Sequence, residues 1–396
     1  MLEQVDFLVV GCGPAGGTAA REAARAGVET LVLDKDAAVG AKRVCAAGLR
    51  PGFCGDFDLP RSIVHCDTPR LALFDPEQRE YEIFFGPGHT STREELDGTI
   101  AALAQKEGAQ IRTSALFRTA AEDGGGVRVQ YADLKSGQRR EVRARHVFLA
   151  QGSTAKLDTG AFAYGRWNEQ LVTTLQYRVY LESAARADAY RTLEMHYYCA
   201  PDGRTIIGWM FPKRDHLAIG IGVMGKMNGA ALRAQLDAFE QRVRARLYPG
   251  IAHRLKTEGH LLYGGEPRPN IASPACMVGG TAAGLVDATN GEGIFEAAMS
   301  GRFAAQAVAF AREGGACATQ RYANALKGRF QKRLHHRAAL MRYLEKRPAR
   351  FGKLFGQLAK SPRFADIVQR EDAERTIAER VYLYSQALRF AVGSQC

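Results

Sequence analysis

The 396-residue sequence predicts an α/β protein in three parts: a parallel-sheet domain, an antiparallel sheet inserted within it, and a charged helical C-terminal region. Three observations support this. Glycines at 11, 13 and 16 stand between the apolar runs Phe7-Leu8-Val9-Val10 and Thr30-Leu31-Val32-Leu33, which reads as strand, tight turn, helix and strand. Successive β runs at 172–182, 191–198, 205–211 and 216–224 form the pattern of an antiparallel sheet. A strand and glycine-rich turn at 275–284 then precede a long helix over 292–313, so the first domain resumes after the insertion.

Each element follows from local chemistry. In the turn Gly11-Cys12-Gly13-Pro14-Ala15-Gly16, Gly11 bends the chain, Gly13 admits a pyrophosphate close to the backbone, and Gly16 lets the helix lie on the sheet. The helix N-terminus aims its N–H groups at the phosphates. Asp34 closes the second strand 18 residues after Gly16, where a carboxylate accepts from ribose hydroxyls. The opening unit is therefore a Rossmann-like dinucleotide site. A glycine-rich loop (39–55), strands within 64–85, a helix from Arg93 to Gly108, and strands at 110–117, 126–133 and 140–149 follow. Residues 145–152 read as a buried strand entering a turn, and a helix over 229–247 follows the inserted sheet. The expected boundaries are 1–165 with 266–315, 166–265, and 316–396.

No stretch reaches the ~18 uncharged apolar residues of a spanning helix. Residues 1–10 belong to the first strand, which leaves no room for a signal peptide. The eight cysteines are scattered without metal-ligand spacing, so neither a disulfide framework nor a metal site is expected, and the simplest location is a reduced cytoplasm. The net charge of +12 is equalled by the stretch from Arg321 to Arg363, which carries thirteen Lys or Arg and a single acid, Glu345. Phe330, Leu334, Leu340, Leu344, Phe351, Leu354, Phe355 and Leu358 interleave with the charge. Such a segment is either a set of solvated helix faces packed on the core or a peripheral contact for an anionic membrane surface. No nucleic-acid motif accompanies the charge, so no nucleic-acid partner is expected.

Four further motifs narrow the chemistry. Arg93 and Asp97 share one helix face in Arg93-Glu94-Glu95-Leu96-Asp97. The others are Gly279-Gly280-Thr281-Ala282-Ala283-Gly284, Gly291-Glu292-Gly293-Ile294, and Gly208-Trp209-Met210-Phe211-Pro212-Lys213. With the glycine fingerprint, these resemble the FAD-dependent geranylgeranyl reductase family, within the flavoproteins built like para-hydroxybenzoate hydroxylase. The resemblance covers residues 4–313. It implies FAD, with Gly11, Gly13, Pro14, Ala15, Gly16, Asp34 and Lys35 on the ADP half and Arg93 near the phosphates and ribityl chain. Gly280, Thr281 and Gly284 match the second flavin-contacting turn. Gly291, Gly293 and Ile294 would set N–H groups against the pyrimidine edge, where a helix N-terminus stabilises negative charge. Cys45 matches a family cysteine near the flavin, with a catalytic role or simple packing as its two readings. Trp209, Phe211 and Pro212 match an element that lines the prenyl pocket, or are core residues of the sheet.

The implied activity is reduction of a C=C bond in a prenyl lipid by hydride from reduced FAD, with NADPH or reduced ferredoxin as electron donor. The proton would come from Cys45 or a bound water. The family's aspartate in the second turn is Thr281 here, its Asp-Gly element is Gln151-Gly152, its proline before the Gly-Glu-Gly-Ile motif is Ala288, and its Cys-Gly-Gly is Cys45-Ala46-Ala47. Two alternatives share the scaffold. One is a monooxygenase or halogenase, although the halogenases' paired tryptophans are represented only by Trp209 and a distant Trp167. The other is a degenerate lipid-binding flavoprotein.

Overall fold

The computed structural model of the chain describes residues 2–41, 44–153, 171–182, 187–370 and 374–392. The strand Glu3–Val10 lies at the centre of a seven-stranded mixed sheet, and its Phe7, Leu8 and Val9 are wholly shielded in the main apolar core. It pairs in parallel with Thr30–Leu33 on one side and Arg139–Leu149 on the other. Gln110–Arg112 extends the first edge. The far edge of Arg139–Leu149 is shared: Val127–Asp133 runs antiparallel along its first half and Cys276–Val278 parallel along its end. The chain thus returns to its first sheet at the strand expected near 275. Ala115–Glu122 completes this sheet.

The second sheet is wider than an insertion over 166–265. Its order is His253–Tyr263, Leu171–Leu181, Leu217–Met224, Thr205–Pro212, Thr192–Cys199, Cys66–Phe74, Glu80–Thr90 and Gly48–Leu49. The last three come from the N-terminal part of the chain, and Thr192–Cys199 pairs with Cys66–Phe74 in parallel. Apolar matching joins them: Leu73 and Ile83 share a cluster with Met195 and Tyr197. Side chains alternate across this sheet. Ile206 and Met210 pack with Leu236 and Phe239 of the helix Gly229–Leu247, whereas Ile207, Trp209 and Phe211 face the other way.

On that other face lie the basic helices, Lys332–Glu345, Arg350–Lys360 and Pro362–Gln369. Met341, Leu344, Phe351 and Phe355 join the cluster of Met195 and Tyr197, with the Phe351 and Tyr197 rings 5.0 Å apart. Phe330 and Leu334 enter the core of the first domain. The apolar residues between Arg321 and Arg363 therefore pack inward, as the first of the two expectations for this segment required. No helix among the described residues is long and apolar enough to cross a membrane.

The first helix, Pro14–Arg25, packs against Ile294–Arg312 through bare backbone. A Cβ on Gly301 would sit 2.1 Å from the Ala15 carbonyl oxygen and 2.8 Å from the Ala19 nitrogen. On a solvent-facing helix, alanine would gain about 1 kcal/mol over glycine. Here Gly301→Ala is expected to lose about 1–3 kcal/mol in urea unfolding, the range for an overpacked core. A gain in stability would contradict this packing.

Candidate functional site

A cavity of about 1080 Å³ is walled by both sheets and by the C-terminal helices. Its polar end is the glycine turn. Gly11 has φ of +95°, and a Cβ there would meet the Ala150 carbonyl oxygen at 2.5 Å. Gly11, Gly13, Pro14 and Ala15 reach the wall. Gly16 lies behind the turn, where a Cβ would fall 1.8 Å from the Gly11 oxygen, so its part is to let the turn close. Gly13 caps the helix with Pro14 at its first position and, among the described residues, no side chain caps that N-terminus. Asp34 accepts from the Cys12 N–H at 2.6 Å and the Asp36 N–H at 2.9 Å, so the turn itself orients the carboxylate. Lys35 is exposed beside it and pairs with Asp36 at 2.9 Å.

Arg93 and Asp97 are both buried, and the i,i+4 pair forms with Nε to Oδ1 at 2.9 Å and Nη2 to Oδ2 at 2.5 Å. A Cβ on Gly13 would lie 3.2 Å from Nη2, so the guanidinium sits beneath the fingerprint. Burial works against its charge, but Asp97 and the neighbouring Cys45 outweigh burial and hold its pKa above the ordinary guanidinium value.

The second helix start closes the middle of the cavity. Gly280 has φ of +60° and donates its N–H to Ser300 Oγ at 3.0 Å, and Thr281 stands beside it on the wall. Gly284 is off the wall: with φ of +76° it ends the short turn Gly280–Ala283. Gly291, Gly293 and Ile294 are on the wall, and the N-terminus at Gly293 also has no side-chain cap among the described residues. Glu292 is on this loop. Its pKa is pushed up to about 7 by burial and the Glu296 carboxylate, against the pull of Arg50 and Arg333. Gln151 and Gly152 complete this part of the wall.

The other end is apolar. Trp209 and Phe211 line it with Leu344, Phe351 and Phe355. Glycines make room for the two rings: a Cβ on Gly220 would be 2.3 Å from the indole, and one on Gly48 would be 2.6 Å from the Phe211 ring. Trp209 Nε1 donates to Gln176 Oε1 at 3.0 Å. Pro212 is off the wall, and its carbonyl accepts from Thr90 Oγ1 at 2.6 Å. Half-buried Cys45 is on the wall, and its sulfur accepts from the Ala47 N–H at 3.3 Å. Ala47 itself has φ of +44°, a conformation that costs a non-glycine residue about 1–2 kcal/mol.

Two contributors escaped sequence reasoning. The C-terminal helices close the apolar end, and their only signal was apolar residues at helical spacing, which fits lipid contact equally well. Arg50, stacked 3.9 Å over the Phe295 ring and on the cavity wall, gave no signal. Trp167 lies outside the described residues.

No family model matches the chain. Over 362 residues it is 28% identical to the digeranylgeranylglycerophospholipid reductase of Thermoplasma acidophilum, covering 84% of this chain and 85% of the relative. Over 322 residues it is 26% identical to the geranylgeranyl diphosphate reductase of Synechocystis, covering 78% and 76%. Among solved structures, a geranylgeranyl bacteriochlorophyll reductase-like protein of Thermoplasma acidophilum matches with a TM-score of 0.69 at 24% identity over 96% of each chain. A flavin-dependent brominase matches at 0.70 with 19% identity over 92% of each. These likenesses establish the expected α/β flavoprotein fold. The resemblance read from the motifs is matched by relatives that carry the family's names across most of the chain, and it is a resemblance to oxidoreductases.

The titration of Glu292 gives a prediction. The expected FAD is anionic, so its binding raises the Glu292 pKa further and takes up a proton. By linkage, affinity then strengthens as pH falls from 8 through about 7. For a rise of about one pKa unit, the FAD dissociation constant is expected to change about threefold between pH 8 and 7, and to approach about tenfold between about pH 9 and 6. Glu292→Gln should flatten it, and a wild-type affinity constant over this range would refute the assignment.

Proposed function

We propose that the protein is an FAD-dependent reductase that saturates C=C bonds of a prenyl, geranylgeranyl-type lipid. One observation carries this reading: a single cavity has one helix N-terminus at its polar end, a second at its middle, neither with a side-chain cap among the described residues, and an aromatic wall at the other end. The residues fit FAD. Gly13 leaves space against the backbone, Asp34 is oriented for a ribose, and the loop at Gly291–Ile294 offers N–H groups for the flavin's pyrimidine edge. Bound and reduced, FAD would supply a hydride to one alkene carbon.

The chain supplies the rest. Where proton transfer to one carbon of an isolated alkene runs ahead of hydride transfer to the other, the alkene gains carbocation-like character, and the rings of Trp209 and Phe211 suit that charge while orienting the chain. Leu344, Phe351 and Phe355 exclude water from this end. Cys45, between the two ends, is the thiol proposed to hold the proton for the second carbon. NADPH or reduced ferredoxin is the proposed electron source. Relatives named as reductases of geranylgeranyl compounds support the substrate class.

A cytoplasmic protein with peripheral membrane contact is the proposed setting. Because the apolar residues of the basic helices pack inward, contact with anionic lipid would rest on charge and be weakened by salt. Co-sedimentation with vesicles of anionic phospholipid should occur at low salt and disappear at high salt. Equal binding to neutral vesicles would refute it.

Turnover tests the function. Under anaerobic conditions with dithionite or NADPH, geranylgeranyl diphosphate and a digeranylgeranyl glycerophospholipid are offered, and mass spectrometry reads the hydrogens gained. Trp209→Ala is expected to lower kcat/KM by about tenfold or more. Product that forms only with oxygen would favour an oxygenase or halogenase instead.

A further inference from the structure

Lys213 has no part in the proposed chemistry, yet it is 1% exposed, where lysine is rarely found. It sits in the tight turn after Thr205–Pro212, which Lys213 N closes by donating to the His216 carbonyl at 2.8 Å. Its Nζ crosses from this turn to the Cys45 loop and donates to the Ala46 carbonyl. The groups that face it are Cys45 on the loop, His65 and Cys66 at the start of Cys66–Phe74, Arg178 on Leu171–Leu181, and His216 on its own turn. None of these is a carboxylate. Burial accordingly lowers its pKa to about 7, against the two thiols. A buried lysine with so little compensation is costly, and such a residue needs a reason.

The loop supplies one. Ala47 has a left-handed φ of +44°, in a place where the family resemblance puts glycine. Its N–H is the group that donates to the Cys45 sulfur, and its carbonyl accepts from Ser91 N at 3.0 Å. The location of the thiol thus depends on a strained alanine, and strain of this kind persists only where the surroundings enforce it. Lys213 bonds the peptide carbonyl immediately before that alanine, as a charge-assisted donor when protonated.

We propose that Lys213 is a positioning residue for Cys45: it clamps the Ala46 carbonyl, holds Ala47 in the left-handed conformation, and so keeps the sulfur in place on the cavity wall. Substrate-domain turn and cofactor-domain loop are joined by this one side chain. The inference deepens the Cys45 assignment above, but its test needs no turnover. An inactive enzyme therefore leaves it intact.

The experiment measures alkylation of Cys45 by iodoacetamide in the protein as purified with its flavin, using the Cys45 peptide mass and exposed Cys199 as internal reference. Lys213→Met should release the loop and speed Cys45 labelling relative to Cys199 by about tenfold, within the span of coupling between contacting residues. Adding Ala47→Gly should bring the rate back to within about threefold of wild type, because glycine adopts the left-handed conformation without a clamp. If Lys213→Met does not fold alone, the same change in the Ala47→Gly background should fold. An unchanged Cys45 rate in Lys213→Met, an equal change with and without Ala47→Gly, or misfolding in both backgrounds overturns the proposal.

Discussion

Where Gly301 meets Ala15, the helices Pro14–Arg25 and Ile294–Arg312 touch backbone to backbone, with Gly280 packed against Ala15 and Ala297 beside them. The contact brings two helix N-termini from distant parts of the sequence to one cavity. Each carries roughly half a positive charge from its aligned peptide dipoles. Both ends favour negative charge in the cavity they line. Arg93 adds a full charge beneath Gly13, but Asp97 neutralises it within the same helix turn. The proposed anionic cofactor would complete the site, with N–H groups offered to it at both helix ends.

The apolar end depends on that arrangement indirectly. The strand Cys276–Val278 ties the return of the chain to Arg139–Leu149, which fixes where Ile294–Arg312 begins. The second sheet then presents Trp209 and Phe211 over glycine slots at Gly220 and Gly48, facing the cavity from the opposite side. The basic helices close the end. Their buried Arg333 binds Glu296 at 2.5 Å, so the C-terminal region is also bonded to the helix that carries the second N-terminus.

The fingerprint was legible because its glycines answer local steric demands, and Arg93–Asp97 because helical spacing alone brings i and i+4 together. The strand runs were legible too, but not their partners. Cys66–Phe74 and Glu80–Thr90 joined the second sheet through long-range apolar matching that alternation does not encode. Gly284 and Pro212 were grouped with wall residues by their motifs, yet each does backbone work just behind the wall, whereas Gly16 does the close packing that its place in the fingerprint implies. The apolar residues of the basic segment fit both lipid and core, since spacing defines a face and not what covers it. Ala47 was visible only as a departure from a Cys-Gly-Gly pattern. Its strain appears with the backbone angle.

The most direct test of the account is the absorption spectrum of the purified protein, before and after anaerobic reduction. Helix ends that converge on an anionic cofactor predict equimolar flavin, retained through gel filtration, whose oxidised bands bleach with dithionite. A folded protein that is colourless and takes up no added FAD would contradict the account at its centre.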